Sequence, residues 1–215
     1  MSSDQILVKK PLIFATGSEI RKDIAESHGI SCEFIKSEVD EELIKLNFHG
    51  NDFDKLAIQL ATEKALTISD KNKDYFVVGV DQVCSLDEEI LNKPGNKDNA
   101  IVSLQKLSGK THHQNCGMAI CKDGKIIWQS SAIAELTMKD LTLDEIQRYL
   151  DLDEPYSCSG SYKFEANGKD LFLNVIGSEY TIQGMDIDQL IEAFYREGII
   201  LSLIHISEPT RLAII

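Results

Sequence analysis

The chain has 215 residues, 43% of them hydrophobic and 27% charged, which is the composition of a soluble globular protein long enough for one large domain or two small lobes. Its 22 basic and 35 acidic residues give a net charge of −13 with no Lys/Arg-rich run, which excludes broad nucleic-acid binding but leaves room for a basic pocket around a small anion. No apolar run approaches the ~18–20 residues of a membrane span, and the five cysteines include no C-x-x-C pair, which points to reduced thiols in the cytoplasm and away from zinc.

Residues 1–10 read as a disordered leader, because the apolar run after Lys9-Lys10 is too short for a signal peptide. Leu12 to Ala15 predicts a short buried strand. Thr16-Gly17-Ser18 predicts a turn, and Ser18 the N-cap of a helix that runs to about His28 and closes at Gly29. A strand, a glycine and a helix start present backbone N–H groups that bind anions. Arg21 falls in the first turn, where the macrodipole disfavours a cation, so it reads either as a surface residue or as the partner of a phosphate. Ser31 to Ile35 reads as a second strand. Glu38, Asp40 and Glu41 follow, either as a solvated turn or as oxygen ligands for a hard cation such as Mg²⁺. Asn51 or Asp52 caps a helix over about 53–69. Lys64 falls near the middle of its apolar stripe of Leu56, Leu60, Ala61, Ala65 and Ile68, and a lysine there either snorkels out or faces a buried anionic partner.

Phe76 to Pro94 sets a carboxylate, Asp81, among valines. Either the strand stops at Gly79 and Asp81 sits on a solvated turn, or the carboxylate is buried and needs a partner. Lys93-Pro94 ends the stretch. A helix is expected from about Asp98 to Leu107, then strands over Cys116–Cys121 and Ile126 to about Ala134, joined by an Asp123-Gly124 hairpin and continuing towards Met138. His112 and His113 fall in the loop before them and read as surface residues without a role. Thr142 to Glu145 is a capping box for a helix to about Leu150. Cys158 to Glu165 is a small-residue loop rich in donors and acceptors. A strand at Leu171–Ile176 and a helix capped by Asp186 complete the pattern. Interspersed strands and helices argue for an α/β fold with a mixed sheet and flanking helices, with two lobes before and after roughly Lys110 around a cleft. From Leu201 the chain reads L-S-L-I-H-I-S-E-P-T-R and resembles the conceptual translation of a sequencing adapter, so residues 201–215 are expected to be non-native.

F-A-T-G-S-E-I-R-K (14–22), S-E-V-D-E-E (37–42) with A-T-E-K-A (61–65), and G-V-D-Q-V (79–83) followed by K-P (93–94) and L-S-G-K (107–110) share the order and spacing of one family. Over about residues 11–199 the chain resembles the Maf-like nucleotide pyrophosphatases. Asp81-Gln82-Val83-Cys84 and Cys158 to Glu165 are most similar to the 7-methyl-GTP pyrophosphatase branch. The resemblance implies one domain over 11–200 with a deep cleft between two lobes (Maf/ITPase-like). It also implies hydrolysis of a nucleoside triphosphate to monophosphate and pyrophosphate in a house-cleaning role, and a divalent metal. It makes Asp81 the proton acceptor and gives the positions of Ile20, Gln82 and Glu165 control of base specificity. Ile20 stands where that branch usually has Trp, Glu19 replaces the usual Pro and Thr16 the usual Ser. The base preference therefore stays open between 7-methyl-GTP and a dTTP/UTP-type or broad nucleotide range. A nucleotide-binding regulatory module without catalysis is the reading from another class.

On this reading Ser18, Arg21, Lys64 and Lys93 bind the triphosphate. Glu38, Asp40 and Asp81 would hold Mg²⁺ or Mn²⁺. The expected partner is a nucleoside triphosphate, with no nucleic acid and no membrane. The sequence does not reveal oligomeric state, and a homodimer is compatible with it.

Overall fold

In the computed structural model the described residues are 6–202. Strand β1 (Ile6–Val8) pairs with the last strand, β9 (Ile200–Ser202), in a two-stranded antiparallel ribbon. Residues 6–8 are thus not a disordered leader. Ile6 and Val8 pack against the core beside the buried Ile199 and Ile200, while Leu7 points out. Leu201 and Ser202, the start of the expected non-native tail, complete β9, and residues 203–215 lie outside the described residues.

The main sheet is built on β4 (Phe76–Leu86), β6 (Thr111–Lys122) and β7 (Lys125–Met138), rich in β-branched and small residues. β4 runs straight through Gly79 and carries Asp81 inside the strand. β6 and β7 form the expected hairpin, turning at Asp123-Gly124 with φ of 54° and 72°. β2 (Leu12–Phe14) lies parallel to β4 and β3 (Glu33–Phe34) parallel to β2. β5 (Glu89–Ile90) folds back on β4, and β8 (Phe172–Ile176) closes the far edge against β7. The seven-stranded mixed sheet has the order β3-β2-β4-β6-β7-β8 with β5 off that path. β6 begins at Thr111 rather than Cys116, so His112 belongs to a central strand.

One face of the sheet carries α3 (Phe53–Ser69). Its approach is set by two glycines. A Cβ on Gly79 would lie 1.9 Å from the Ala61 carbonyl oxygen, and one on Gly117 would lie 2.0 Å from the Ala57 carbonyl carbon. The opposite face is covered in two parts. α1 (Glu19–Ser27) and α7 (Ile187–Arg196) pack Ile24, Leu190 and Phe194 on Phe14, Val78, Val80 and Met118. α4 (Lys97–Leu107) and α5 (Leu143–Asp153) pack Leu104, Leu107, Ile146 and Leu150 on Leu86, Leu136 and Met138. The two-lobe division is therefore real on this face but does not fall at Lys110. It crosses the long strands, which belong to both halves. α2 (Glu41–Asn47) and α6 (Glu179–Ile182) are short helices that the sequence pattern did not announce. No helix among the described residues is long and apolar enough to cross a membrane.

Candidate active site

The site begins as a gap along one edge of β4. Pairing with β2 ends where Ala15 N donates to Val78 O at 2.7 Å, and the next main-chain partner on that edge is Leu91, whose N donates to Cys84 O at 2.8 Å. In between, side chains replace the missing strand. Arg21 Nη1 donates to Val80 O at 3.0 Å, and Gln82 N donates to Asp81 Oδ1 at 2.8 Å. A cavity of about 570 Å³ opens there. Side chains alternate along a strand, so Asp81 reaches the cavity from the α3 face and Gln82 from the other.

On the α3 face Asp81 is 6% exposed and Lys64 8%. Lys64 Nζ lies 2.8 Å from Asp81 Oδ2 and 2.6 Å from Glu41 Oε1. The Asp81 contact is an ion pair by distance without hydrogen-bond alignment, so Oδ2 is a buried acceptor with no aligned donor. The centred lysine of α3 thus has the buried anionic partner its position called for, brought near by the glycine contacts of the sheet. One ammonium between two carboxylates leaves surplus negative charge.

The expected metal set does not assemble. Neither Glu38 nor Asp40 borders the cavity. Asp40 Oδ1 accepts from Leu43 N at 3.0 Å as the N-cap of α2, and that cap turns Glu41 towards Lys64 instead. No group of three or more His, Cys, Asp or Glu converges among the described residues.

At the start of α1, Ser18 is the N-cap, but its side chain makes no capping bond, and its N–H donates to Thr16 Oγ1 at 3.1 Å. Arg21 has a cause for its first-turn position that needs no phosphate. Besides Val80 O, its Nε donates to Gly184 O at 2.9 Å, clamping α1 to β4 and to the turn after α6. Gly184 has φ +87°, and a Cβ there would stand 2.8 Å from Arg21 Nη2. Lys36 and Lys93 supply further cations along the cavity wall.

Gln82 and Gln114 project from the opposite sheet face, and Ile20, Tyr162 and Glu165 also line the cavity. Gln82 Nε2 donates to Thr181 O at 3.2 Å and Ile182 O at 2.6 Å, so α6 consumes the amide's donors. Tyr162 OH accepts from Gln114 Nε2 at 2.7 Å and lies 2.8 Å from His112 Nε2. His112 is fully buried, contrary to the surface role expected of it. Burial first, and the neighbouring His113 second, push its pKa down to about 4, so the ring is neutral at pH 7. Burial also pushes the thiols of Cys84 and Cys116 up to about 12 and raises that of Cys158 on the cavity wall, which leaves no thiolate nucleophile there.

The family model for Maf-like protein matches residues 11–197. The chain belongs to the Maf-like family. It is 38% identical over 189 residues to a protein of Legionella pneumophila (strain Lens) named nucleoside triphosphate pyrophosphatase, covering 88% of this chain and 94% of the relative. A Nitrobacter winogradskyi protein of the same name is 32% identical over 196 residues, covering 90% and 96%. A Brucella abortus protein named 7-methyl-GTP pyrophosphatase is 34% identical over 190 residues, covering 86% and 96%.

In this Maf-like chain the cavity gathers Ser18, Ile20, Arg21, Lys64, Asp81, Gln82, Lys93 and Glu165, all of which the sequence singles out. Sequence reasoning passed over Lys36, Gln114 and Tyr162. Lys36 carries no pattern that separates it from any loop lysine. Gln114 sits in a polar H-H-Q-N run that does not look like a strand. Tyr162 lay within the donor-rich loop but was not picked out from it.

Proposed function

We propose that the chain hydrolyses the α–β phosphoanhydride of a nucleoside triphosphate, releasing monophosphate and pyrophosphate, with 7-methyl-GTP as its preferred substrate. The observation that carries the reading is Asp81, a buried carboxylate ion-paired to a buried lysine at a strand gap, in a cavity bordered by Lys36, Lys93 and the start of α1. Asp81 takes a proton from water while the water oxygen attacks the α-phosphorus. The bridging P–O bond breaks, and its electron pair leaves on the pyrophosphate. Lys36, Lys64 and Lys93 meet the triphosphate charge, Ser18 and the helix start cradle a phosphate, and Arg21 holds the carboxylate's strand in place.

A divalent cation fits the α3 side, given the surplus negative charge around Lys64 and the unaligned Asp81 Oδ2. Asp81 and Glu41 would hold Mg²⁺ or Mn²⁺ together with substrate phosphates, and the ion would add charge neutralisation there. The names of the Legionella and Nitrobacter relatives support the reaction class, and the name of the Brucella relative supports the finer substrate. Glu165 suits guanine, whose N1–H and amino group both donate, and N7-methylation makes that base cationic.

The test is pyrophosphate release over a panel of 7-methyl-GTP, GTP, UTP, dTTP and CTP. Turnover fastest with 7-methyl-GTP is expected. Equal rates across the panel would overturn the specificity, and no release from any nucleotide would overturn the reaction. Glu165→Gln is expected to move the ratio towards UTP and dTTP by about tenfold, because one strong acceptor is exchanged for an amide that matches a uracil edge.

A further inference from the structure

Gln114 is 1% exposed, lines the cavity, and has a carboxamide oxygen with no hydrogen-bond partner. Its Nε2 is committed to Tyr162 OH at 2.7 Å. A phenol oxygen that accepts from Gln114 has its own proton to give to His112 Nε2, 2.8 Å away. Tyr162 and His112 are themselves held in a cluster with Phe172, with ring centroids 4.9 Å apart for Tyr162–Phe172 and 5.8 Å for His112–Phe172. With that direction of bonding one N–H of the Gln114 amide is spent on Tyr162 and its oxygen is left unpaired. A buried acceptor without a donor is costly unless something else supplies one.

Gln82 repeats the arrangement. Opposite residues in β4 and β6 share a sheet face, and the register Gln82↔Cys116 and Cys84↔Gln114 puts Gln82 and Gln114 on the same face. Both donors of Gln82 are spent, on Thr181 O and Ile182 O, so it can offer the cavity only its oxygen. Glu165 is an acceptor by nature.

We propose that Gln114 is a further specificity-determining residue, whose Oε1 joins Gln82 Oε1 and Glu165 in an acceptor-rich wall that selects a base edge made of N–H donors. The inference rests on the nucleotide reading above and deepens it. Guanine, with N1–H and an exocyclic amino group, satisfies such a wall. Uracil and thymine turn two carbonyls towards it and leave acceptors facing acceptors. Tyr162 is a positioning residue in this scheme, because it holds the Gln114 amide in its orientation.

The test compares kcat and KM of the full chain, Gln114→Leu and Tyr162→Phe on 7-methyl-GTP, GTP, UTP and dTTP. Gln114→Leu should raise KM for the guanine nucleotides about 3- to 10-fold with little change in kcat, and should lower the guanine-to-uracil ratio of kcat/KM by a similar factor. Tyr162→Phe keeps the ring in its cluster and should shift the ratio the same way by less, so it carries the readout if Gln114→Leu does not fold. Turnover by the unaltered chain with substrate ratios unchanged in both folded variants would overturn this inference alone. Absence of turnover in the unaltered chain would overturn the nucleotide reading and the inference with it.

Discussion

Asp81 and Lys64 are each expensive in isolation, since a buried charge without a partner costs several kcal/mol. Together, and with Glu41, they form a charged group that the fold can hold inside a cleft. Asp81→Asn keeps the shape and removes the base, so pyrophosphate release should fall by about 10²–10⁴-fold while nucleotide binding persists. A fall smaller than tenfold would take Asp81 out of the proton transfer. Lys64→Met leaves two carboxylates facing each other without a cation. A loss of about 3–5 kcal/mol in unfolding free energy is expected, read from the urea midpoint at an unchanged m-value, and an unshifted midpoint would deny the pair its structural weight. Lys64 was legible from its place in the helical stripe. The cause of Arg21's position was not, because the carbonyl it grips belongs to Gly184, 163 residues away.

At the scale of elements, the placement of α3 decides the site. Gly117 and Gly79 admit its backbone to the sheet, and that contact sets the depth of Lys64 relative to Asp81. Gly117→Ala puts a methyl group within about 2 Å of helix backbone that cannot swing aside. It should destabilise the fold by about 3 kcal/mol or more and lower turnover in the same variant, measured by thermal unfolding and pyrophosphate release. Full stability in that variant would mean that α3 can ride higher at no cost. The helix itself was plain in the sequence, from its apolar period and its Asn51-Asp52 start. α2 was missed although Asp40 followed by Glu41 and Glu42 is an N-cap with an acidic first turn. The cluster of acids suggested metal chemistry, and a seven-residue helix with no buried residue offers no apolar stripe to correct that impression. The start of β6 was missed for the complementary reason. His112, Gln114 and Asn115 are polar yet buried, each bonded to a group elsewhere in the chain, so tertiary pairing outweighs local pattern there.

For the whole molecule, His112 couples packing to pH. Its folded-state pKa of about 4 lies below the ordinary 6.5, so the unfolded chain binds the extra proton between those values. Stability from this group is complete above about pH 6.5 and is lost as pH falls towards about 4. His112→Gln keeps an acceptor for Tyr162 and removes the titration. The drop in unfolding free energy from pH 7 to pH 5 should then be smaller than in the unaltered chain by about 2 kcal/mol, measured by denaturant titration at both values. Equal drops would mean that His112 is not held neutral. The α/β class and mixed sheet were legible from alternating elements and the Asp-Gly turn. The line between the two halves was not, since it crosses β4, β6 and β7 rather than passing through a linker, and no composition shift marks it.

The pleat of β4 gives neighbouring residues opposite surroundings. Asp81 faces Lys64 on α3 and Gln82 faces α6, with one peptide bond between them. The strand is thus a partition wall. The side chains of Gln82 and Gln114 project from the sheet face opposite the ion pair, so they can vary while Asp81 and Lys64 stay in place. On the function proposed above, substitution on the Gln114 face changes which nucleotide is preferred while hydrolysis at the Asp81 face persists.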